Sequence, residues 1–329
     1  MHYPKNIADL IGNTPLVQIP NDSDRPGPTL LAKLEYVNPG GSIKDRLAKF
    51  VIEKNLADGT LKPGDTVIDN TSGNTGVGLA MIAAAYGLKC VLTTAEKTSN
   101  EKVDLMKALG AEVIRTPTEA HWDDPRSCYA LGKRLAKENG WFHFNQYHSK
   151  DNILAHYCTT GPEIWEQTRG TITHFVGGIG TGGTVSGIAK FLKEKNPAIQ
   201  VIAVDPEGSM FTDYIRKGEL VEPKTYFVEG IGSDMITGAL EPQYIDRVIQ
   251  VSDEQSFALA RKITKKYGIL AGGSSGTVAY GAYKIAEELG PEHTIVMIFA
   301  DSAIRYLSKC FSDDWMKQQG FPVTEKIKA

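Results

Sequence analysis

Only four of the 329 residues are cysteine, Cys90, Cys128, Cys158 and Cys310, and no two of them stand at a short paired spacing. That scatter excludes a disulfide framework and a cysteine-paired zinc site, and leaves buried thiols as the expected state. An excess of one charge is also missing. A formal net charge of -3 gives no electrostatic footprint for nucleic acid or an anionic membrane. No uninterrupted apolar stretch is long enough to span a bilayer, and the opening Met1-His2-Tyr3-Pro4-Lys5-Asn6 lacks the basic region and apolar run of an export signal. The cytoplasm is the expected location. Internal repeats and low-complexity segments are absent. His143, His148 and His156 cluster in sequence, but no cysteine or carboxylate completes a ligand pattern, so they are read as structural histidines and no metal is expected.

What the chain does have is length for two cores and a regular alternation. The segment Asn6 to Ile11 is a predicted helix, and Leu16 to Ile19 and Leu30 to Leu34 are predicted strands. Short apolar runs follow at Val67-Ile68, Val91-Leu92 and Val113-Ile114, separated by helical segments such as Gly78 to Tyr86 and Asn100 to Leu109. A helix ending near Asn139 and a strand over Trp141 to Gln146 complete this half. The rhythm restarts with His174 to Val176, Val201 to Val204, Val248 to Val251 and Ile295 to Phe299. This is the pattern of βαβ units, and it predicts an α/β protein of two lobes with a hinge near Gln146 to Ile153. Gly208 to Val228 has little periodicity and reads as an excursion.

Lys44 sits at the mouth of a predicted helix, Lys44 to Asp58, after the turn Pro39-Gly40-Gly41-Ser42, with Ser42 as the expected N-cap. An ammonium is disfavoured in the first turn, which eases conversion to the neutral amine that Schiff-base chemistry requires. The competing reading is an ordinary surface lysine. Two glycine-rich turns stand at strand-to-helix junctions, Thr71-Ser72-Gly73-Asn74-Thr75-Gly76 and Gly177 to Thr184, and a third cluster, Ala271 to Gly276, follows an apolar run and opens a helix. Backbone amides and hydroxyls converging on a helix N-terminus suit a carboxylate or a phosphate. Gly178, Gly180 and Gly183 also fit the dinucleotide pattern G-x-G-x-x-G, with Asp205 near the place of a ribose-binding acid. A nicotinamide enzyme is therefore a rival. The hydroxyls of Thr181 and Thr184 favour a single terminal phosphate instead.

Taken in order, Ile11 to Leu16, Gly40 to Arg46, the Thr71 to Gly76 loop, Gly180 to Thr184 and Gly272 to Gly276 resemble the β-family (fold type II) of pyridoxal-phosphate enzymes, which includes cysteine synthase and cystathionine β-synthase. The resemblance covers nearly the whole chain. It implies two lobes, each a mostly parallel twisted sheet flanked by helices: residues 1–12 and 36–148 in the smaller, and 13–35 and 149–329 in the larger, which holds the cofactor phosphate. It also implies that Lys44 carries pyridoxal 5'-phosphate as a Schiff base and serves as general base. Asn74 then meets the ring hydroxyl, Gly180, Thr181, Gly182, Gly183 and Thr184 cradle the phosphate, and Ser274 faces the pyridine nitrogen. Thr71, Ser72, Gly73, Thr75, Gln146, Tyr147 and Gly230 are implied substrate contacts.

A neutral serine at the pyridine nitrogen makes a milder electron sink than an aspartate, which suits β-replacement. The implied reaction condenses L-serine or O-acetyl-L-serine with L-homocysteine to L-cystathionine through an aminoacrylate. Features similar to that branch are Asp205 to Ser209, Val228 to Gly232 with Asp234, Asp301-Ser302, Phe311 to Met316, and Tyr147. Gly161 to Trp165 and Arg305 to Leu307 are similar to cysteine synthase, which makes cysteine from O-acetylserine and sulfide, and that remains the alternative. Cysteine as donor, with release of hydrogen sulfide, is a third. Ser233 stands where the animal branch commonly has tyrosine. Neither a haem-binding extension nor a C-terminal regulatory module is expected. The expected partners are small amino-acid and thiol substrates and a second copy in a homodimer, with no nucleic acid and no membrane.

Overall fold

The computed structural model describes residues 3–21, 26–71, 73–96, 98–120 and 122–323. The chain divides into two compact units, Met1–Gly12 with Asn38–Ala155, and Asn13–Val37 with His156–Ala329. In chain order, a 3-10 turn at Ile7–Leu10 is followed by β1 (Leu16–Ile19), β2 (Thr29–Leu34), α1 (Lys44–Ala57), β3 (Thr66–Asn70), α2 (Asn74–Ala85), β4 (Lys89–Ala95), α3 (Asn100–Ala108), β5 (Glu112–Thr116), α4 (Cys128–Asn139), β6 (Phe142–His143) and α5 (Asp151–Ala155). A π-helix, His156–Thr160, leads into α6 (Gly161–Gln167), β7 (His174–Gly178), α7 (Gly183–Lys195), β8 (Gln200–Pro206), α8 (Phe211–Lys217), β9 (Arg247–Val251), α9 (Asp253–Tyr267), α10 (Gly273–Ala286), β10 (Thr294–Phe299) and α11 (Asp313–Gln318).

The first unit holds a four-stranded parallel sheet in the order β5-β4-β3-β6. Its core packs Leu47, Val51 and Ile52 of α1 with Leu79 and Ile82 of α2 against Val67 and Leu92. Each such side chain contributes about 1.5–3 kcal/mol on burial. The second unit holds a six-stranded sheet, β1-β2-β10-β7-β8-β9, parallel except for the antiparallel edge pair β1 and β2. Its central strands are apolar on both faces, as covered parallel strands are, with Phe175, Val176, Val201 and Met297 all at 0% exposure. The α/β architecture is that read from the sequence.

Several local expectations change. The strand expected over Trp141 to Gln146 contracts to Phe142–His143, because Asn145 takes a left-handed φ of 51° and turns the chain. The N-cap of α1 is Ile43 rather than Ser42, although the Ser42 hydroxyl still accepts the Lys44 amide at 3.2 Å. Helix α2 begins at Asn74, four residues before the expected Gly78. Its Gly76 is required by packing, since a Cβ there would meet the Met106 sulfur at 2.4 Å. Within Gly208 to Val228 a helix does form: buried Asp205 accepts the Thr212 amide at 2.9 Å, tying the first turn of α8 to the end of β8.

Candidate active site

Ligands of open α/β sheets sit at the carboxyl ends of the strands, where the strand order reverses. In the first unit that reversal lies between β3 and β6, so the loops 71–73 and 144–147 leave the sheet side by side. In the second it lies between β7 and β10, which places the loop 179–182 beside 300–302. Every candidate glycine loop is therefore at or next to a switch point.

In the first unit Lys44 is half-buried at the first position of α1. The turn before it is folded tightly. Gly41, at φ 80°, donates its amide to Asn38 O at 2.8 Å, and Gly40 donates to Oδ2 of buried Asp45 at 2.6 Å. Gly78 of α2 packs against the Asp45 backbone, where a Cβ would lie 3.3 Å from Cα, so the second turn of α2 abuts the first turn of α1. Asn74, half-buried, and Thr75, buried, open α2 behind Gly73, whose amide meets the Thr71 hydroxyl at 3.3 Å. The Thr75 hydroxyl donates to Gln146 Oε1 at 2.6 Å, and Gln146 Nε2 donates to Asn70 O at 3.0 Å. Asn152 Nδ2 fixes the Gln146 carbonyl at 2.8 Å. Thr71, Gly73, Asn74, Thr75 and Gln146 thus form one group, and half-buried Tyr147 is the next residue along the same turn. Ser72 lies outside the described residues.

Behind this group Asp69 is fully buried, and burial pushes its carboxyl up to about 8. The amides of Gln146, Asn70 and Asn145 pull it back, although neither oxygen has a partner in hydrogen-bonding geometry among the described residues.

In the second unit Gly180, Thr181, Gly182, Gly183 and Thr184 join β7 to α7. Gly182 is the N-cap at φ 87°, and a Cβ on it would meet the Leu240 Cα at 2.7 Å. Gly180 is held equally closely by the Gly230 carbonyl, 2.6 Å from the position of a Cβ. The Thr237 hydroxyl donates to Thr181 O at 2.7 Å, and Gly232 donates its amide to Ile179 O at 2.7 Å. Ser274, buried, occupies the first turn of α10. Gly230 faces it, since a Cβ on Gly230 would lie 4.0 Å from the Ser274 hydroxyl. Glu229, beside Gly230, pairs with Lys309.

A glycine N-cap is what α2, α7 and α10 share. Helices α4, α9 and α11 take serine caps at Ser127, Ser252 and Ser312. Helices α2, α7 and α10 open on Gly73, Gly182 and Gly272 with no side-chain cap. Backbone amides at a helix start of this kind suit an anion. An uncapped α7 flanked by the threonine hydroxyls fits a terminal phosphate, and the buried Ser274 hydroxyl fits a neutral contact to a ring nitrogen. Asp205 does not fit the ribose of a nicotinamide cofactor. It is 0% exposed, and its Oδ2 accepts both the amide and the hydroxyl of Thr212. Asn152 and Thr237 back the loops from distant positions with no local motif to mark them, and His156, expected only as a structural histidine, does the same.

Comparison with known proteins agrees with this geometry. Residues 7–301 match the family described as "Pyridoxal-phosphate dependent enzyme". The chain is 46% identical over 324 residues to cystathionine beta-synthase of Rattus norvegicus, covering 97% of this chain and 58% of that protein. It is 41% identical over 304 residues to cysteine synthase of Staphylococcus aureus, covering 92% of this chain and 95% of that one. Among solved structures, an O-acetylserine dependent cystathionine beta-synthase from Helicobacter pylori superposes with a TM-score of 0.84 at 40% identity, over 94% of this chain and 99% of the other. The chain thus spans little more than half the length of the rat relative and nearly the full length of the bacterial ones. With the family match and the fold in agreement, the chain belongs to the pyridoxal-phosphate dependent enzymes.

Proposed function

We propose that the protein is a β-replacement enzyme that joins L-serine or O-acetyl-L-serine to L-homocysteine, forming L-cystathionine. The observation that carries β-replacement is Ser274, a buried neutral hydroxyl in the first turn of a 14-residue helix. The positive end of that helix and a serine that cannot act as a counter-ion both leave a facing pyridine nitrogen unprotonated. The identity to the rat protein favours homocysteine as the nucleophile.

Lys44 would hold the cofactor covalently, Asn74 its ring hydroxyl, and Gly180 to Thr184 its phosphate. Bound there, pyridoxal phosphate supplies the electron sink that makes an amino-acid Cα–H acidic. The protein's own groups do the rest. Thr71, Ser72 and Gln146, with the backbone amide of Thr75, whose hydroxyl is taken up by Gln146 Oε1, bind the substrate carboxylate. Lys44 Nζ, released by the incoming amino group, takes the proton from Cα and later returns it. The net exchange replaces the substituent on Cβ by the thiolate sulfur. A cytoplasmic homodimer is part of the same reading, and light scattering tests the dimer.

A second reading is cysteine synthase, with sulfide as the nucleophile. It is favoured by the fit in length, since the chain covers 95% of the Staphylococcus aureus protein. Incubation of the purified protein with each donor and with homocysteine and sulfide in competition, followed by mass analysis, separates the two. Cystathionine as the main product supports the first reading, and cysteine alone overturns it. In Lys44→Ala, turnover and the visible band of lysine-bound cofactor are both expected to vanish. Near-normal activity in that variant would remove Lys44 from the mechanism.

A further inference from the structure

His156 is 0% exposed, and each of its ring nitrogens lies against a threonine hydroxyl. Nε2 is 3.1 Å from Thr184 Oγ1, and Nδ1 is 2.9 Å from Thr160 Oγ1. Both His156 and Thr160 belong to the π-helix His156–Thr160 between α5 and α6. Such wide turns are rare and recur at functional sites. Here the turn is what sets the imidazole against the first turn of α7. Thr184 is half-buried, and its hydroxyl lies against the histidine.

We infer that His156 is a positioning residue for the anion cradle, a neutral imidazole that donates Nε2–H to Thr184 Oγ1 while Nδ1 accepts the Thr160 hydroxyl proton. The inference rests on the assignment of Gly180 to Thr184 as the cofactor-phosphate site. Proton accounting carries it. A hydroxyl has one proton to give, and a phosphate at this site only accepts. If Thr184 gave its proton to Nε2, it would turn a lone pair toward the phosphate and repel it. With Nε2–H donating, the Thr184 proton is free for the anion, and the hydrogen bond it makes is charge-assisted. The other tautomer reverses both ends of the relay and spoils the cradle. The Thr160 hydroxyl on the π-turn completes the relay from the far side of a ring that itself never meets the ligand.

The test uses apoprotein, with pyridoxal phosphate and the phosphate-free pyridoxal as probes. His156→Phe removes the donor, His156→Gln keeps an N–H near the Nε2 position, and Thr184→Ala removes the hydroxyl. Loss of the neutral hydrogen bond that orients the Thr184 hydroxyl predicts pyridoxal-phosphate binding weaker by about two- to tenfold in His156→Phe, from the usual strength of such bonds. Pyridoxal binding should be unchanged, binding should be largely restored in His156→Gln, and the 31P resonance of the bound phosphate should move in His156→Phe. If wild type does not prefer pyridoxal phosphate to pyridoxal, or Thr184→Ala keeps the preference, the phosphate site itself is wrong. If Thr184→Ala loses the preference and His156→Phe keeps it, the site stands and the relay is overturned. Should circular dichroism show that His156→Phe does not fold, 15N spectra of histidine-labelled wild type decide, with the resonance assigned by its loss in His156→Gln. A neutral Nε2–H ring is expected, and an Nδ1–H ring overturns the inference.

Discussion

The Thr75 hydroxyl donates to Gln146 Oε1 at 2.6 Å across 71 positions of sequence, and both side chains are buried. This bond fixes which end of the amide is which. With Oε1 accepting from Thr75 and Nε2 donating to Asn70 O at 3.0 Å, the amide is held at both ends. Thr75→Val removes the donor, leaves Oε1 without it at a cost of about 1–3 kcal/mol, and frees the amide to rotate. The expected result is a rise in KM for the amino-acid donor of about tenfold, with kcat less affected, because a ground-state contact is lost. Steady-state kinetics at saturating thiol check it, and an unchanged KM would show that Gln146 does not hold the substrate.

How much of this was legible beforehand depends on whether the determinant is local. The βαβ rhythm, the glycine loops and Lys44 are written in contiguous residues, so period and turn chemistry reveal them. Asn145 hides the end of β6, because its left-handed φ comes from its tertiary setting rather than from a glycine. The start of α8 is hidden for a related reason: the carboxylate that meets its first turn, Asp205, stands six residues ahead of Phe211, on β8. His156 was readable only as a buried histidine. Its pairing with Thr184 spans 28 positions, and no spacing rule links a π-turn to a phosphate loop. The glycines of the loop before α7 are legible as motif, yet their steric reason lies in Leu240 and Gly230, far along the chain.

Ser274 offers a test of the electronic argument that leaves the fold in place. A carboxylate is favourable in the first turn of a helix, so Ser274→Asp should not weaken α10. It would instead hold the pyridine nitrogen protonated and strengthen the electron sink. A shift in the visible spectrum of the bound cofactor and a fall in β-replacement kcat are expected, with transamination as the side reaction to assay. An unchanged spectrum together with unchanged turnover would place Ser274 away from the ring.

Lys33 is a buried charge with its needs met. At 0% exposure its Nζ bonds Thr14 O at 2.9 Å, Gln167 Oε1 at 2.9 Å and Glu163 Oε2 at 2.8 Å, tying β2 to α6. Removing one partner of a buried pair strands the other, so Lys33→Ala is expected to cost about 3–5 kcal/mol. The double variant Lys33→Met with Glu163→Gln should lose much less than the two single changes added together. Denaturant melts measure this, and additive losses would mean that the pair is not coupled.

Asp69 gives stability a pH dependence of unusual sign for an aspartate. Burial raises its carboxyl from 3.8 to about 8, so the folded chain binds a proton that the unfolded chain has already lost between those values. Stability is then fully present below about pH 4 as far as this group is concerned, and it falls as pH rises toward 8, by up to about 1.4 kcal/mol per unit. A paired surface aspartate would act in the opposite sense. Cys90 shares the effect, since its thiol is pushed up to about 12 first by burial and then by the Asp69 charge. Asp69→Asn keeps the shape and removes the titration, so its urea midpoint should stay level from pH 6 to 8.5 while that of wild type declines. The Gln146 amide faces the Asp69 carboxyl, so KM for the amino-acid donor should rise with pH over the same range in wild type and not in the variant. Parallel pH profiles for the two proteins would show that Asp69 is ionised throughout and that its neighbours, not its proton, hold the turn.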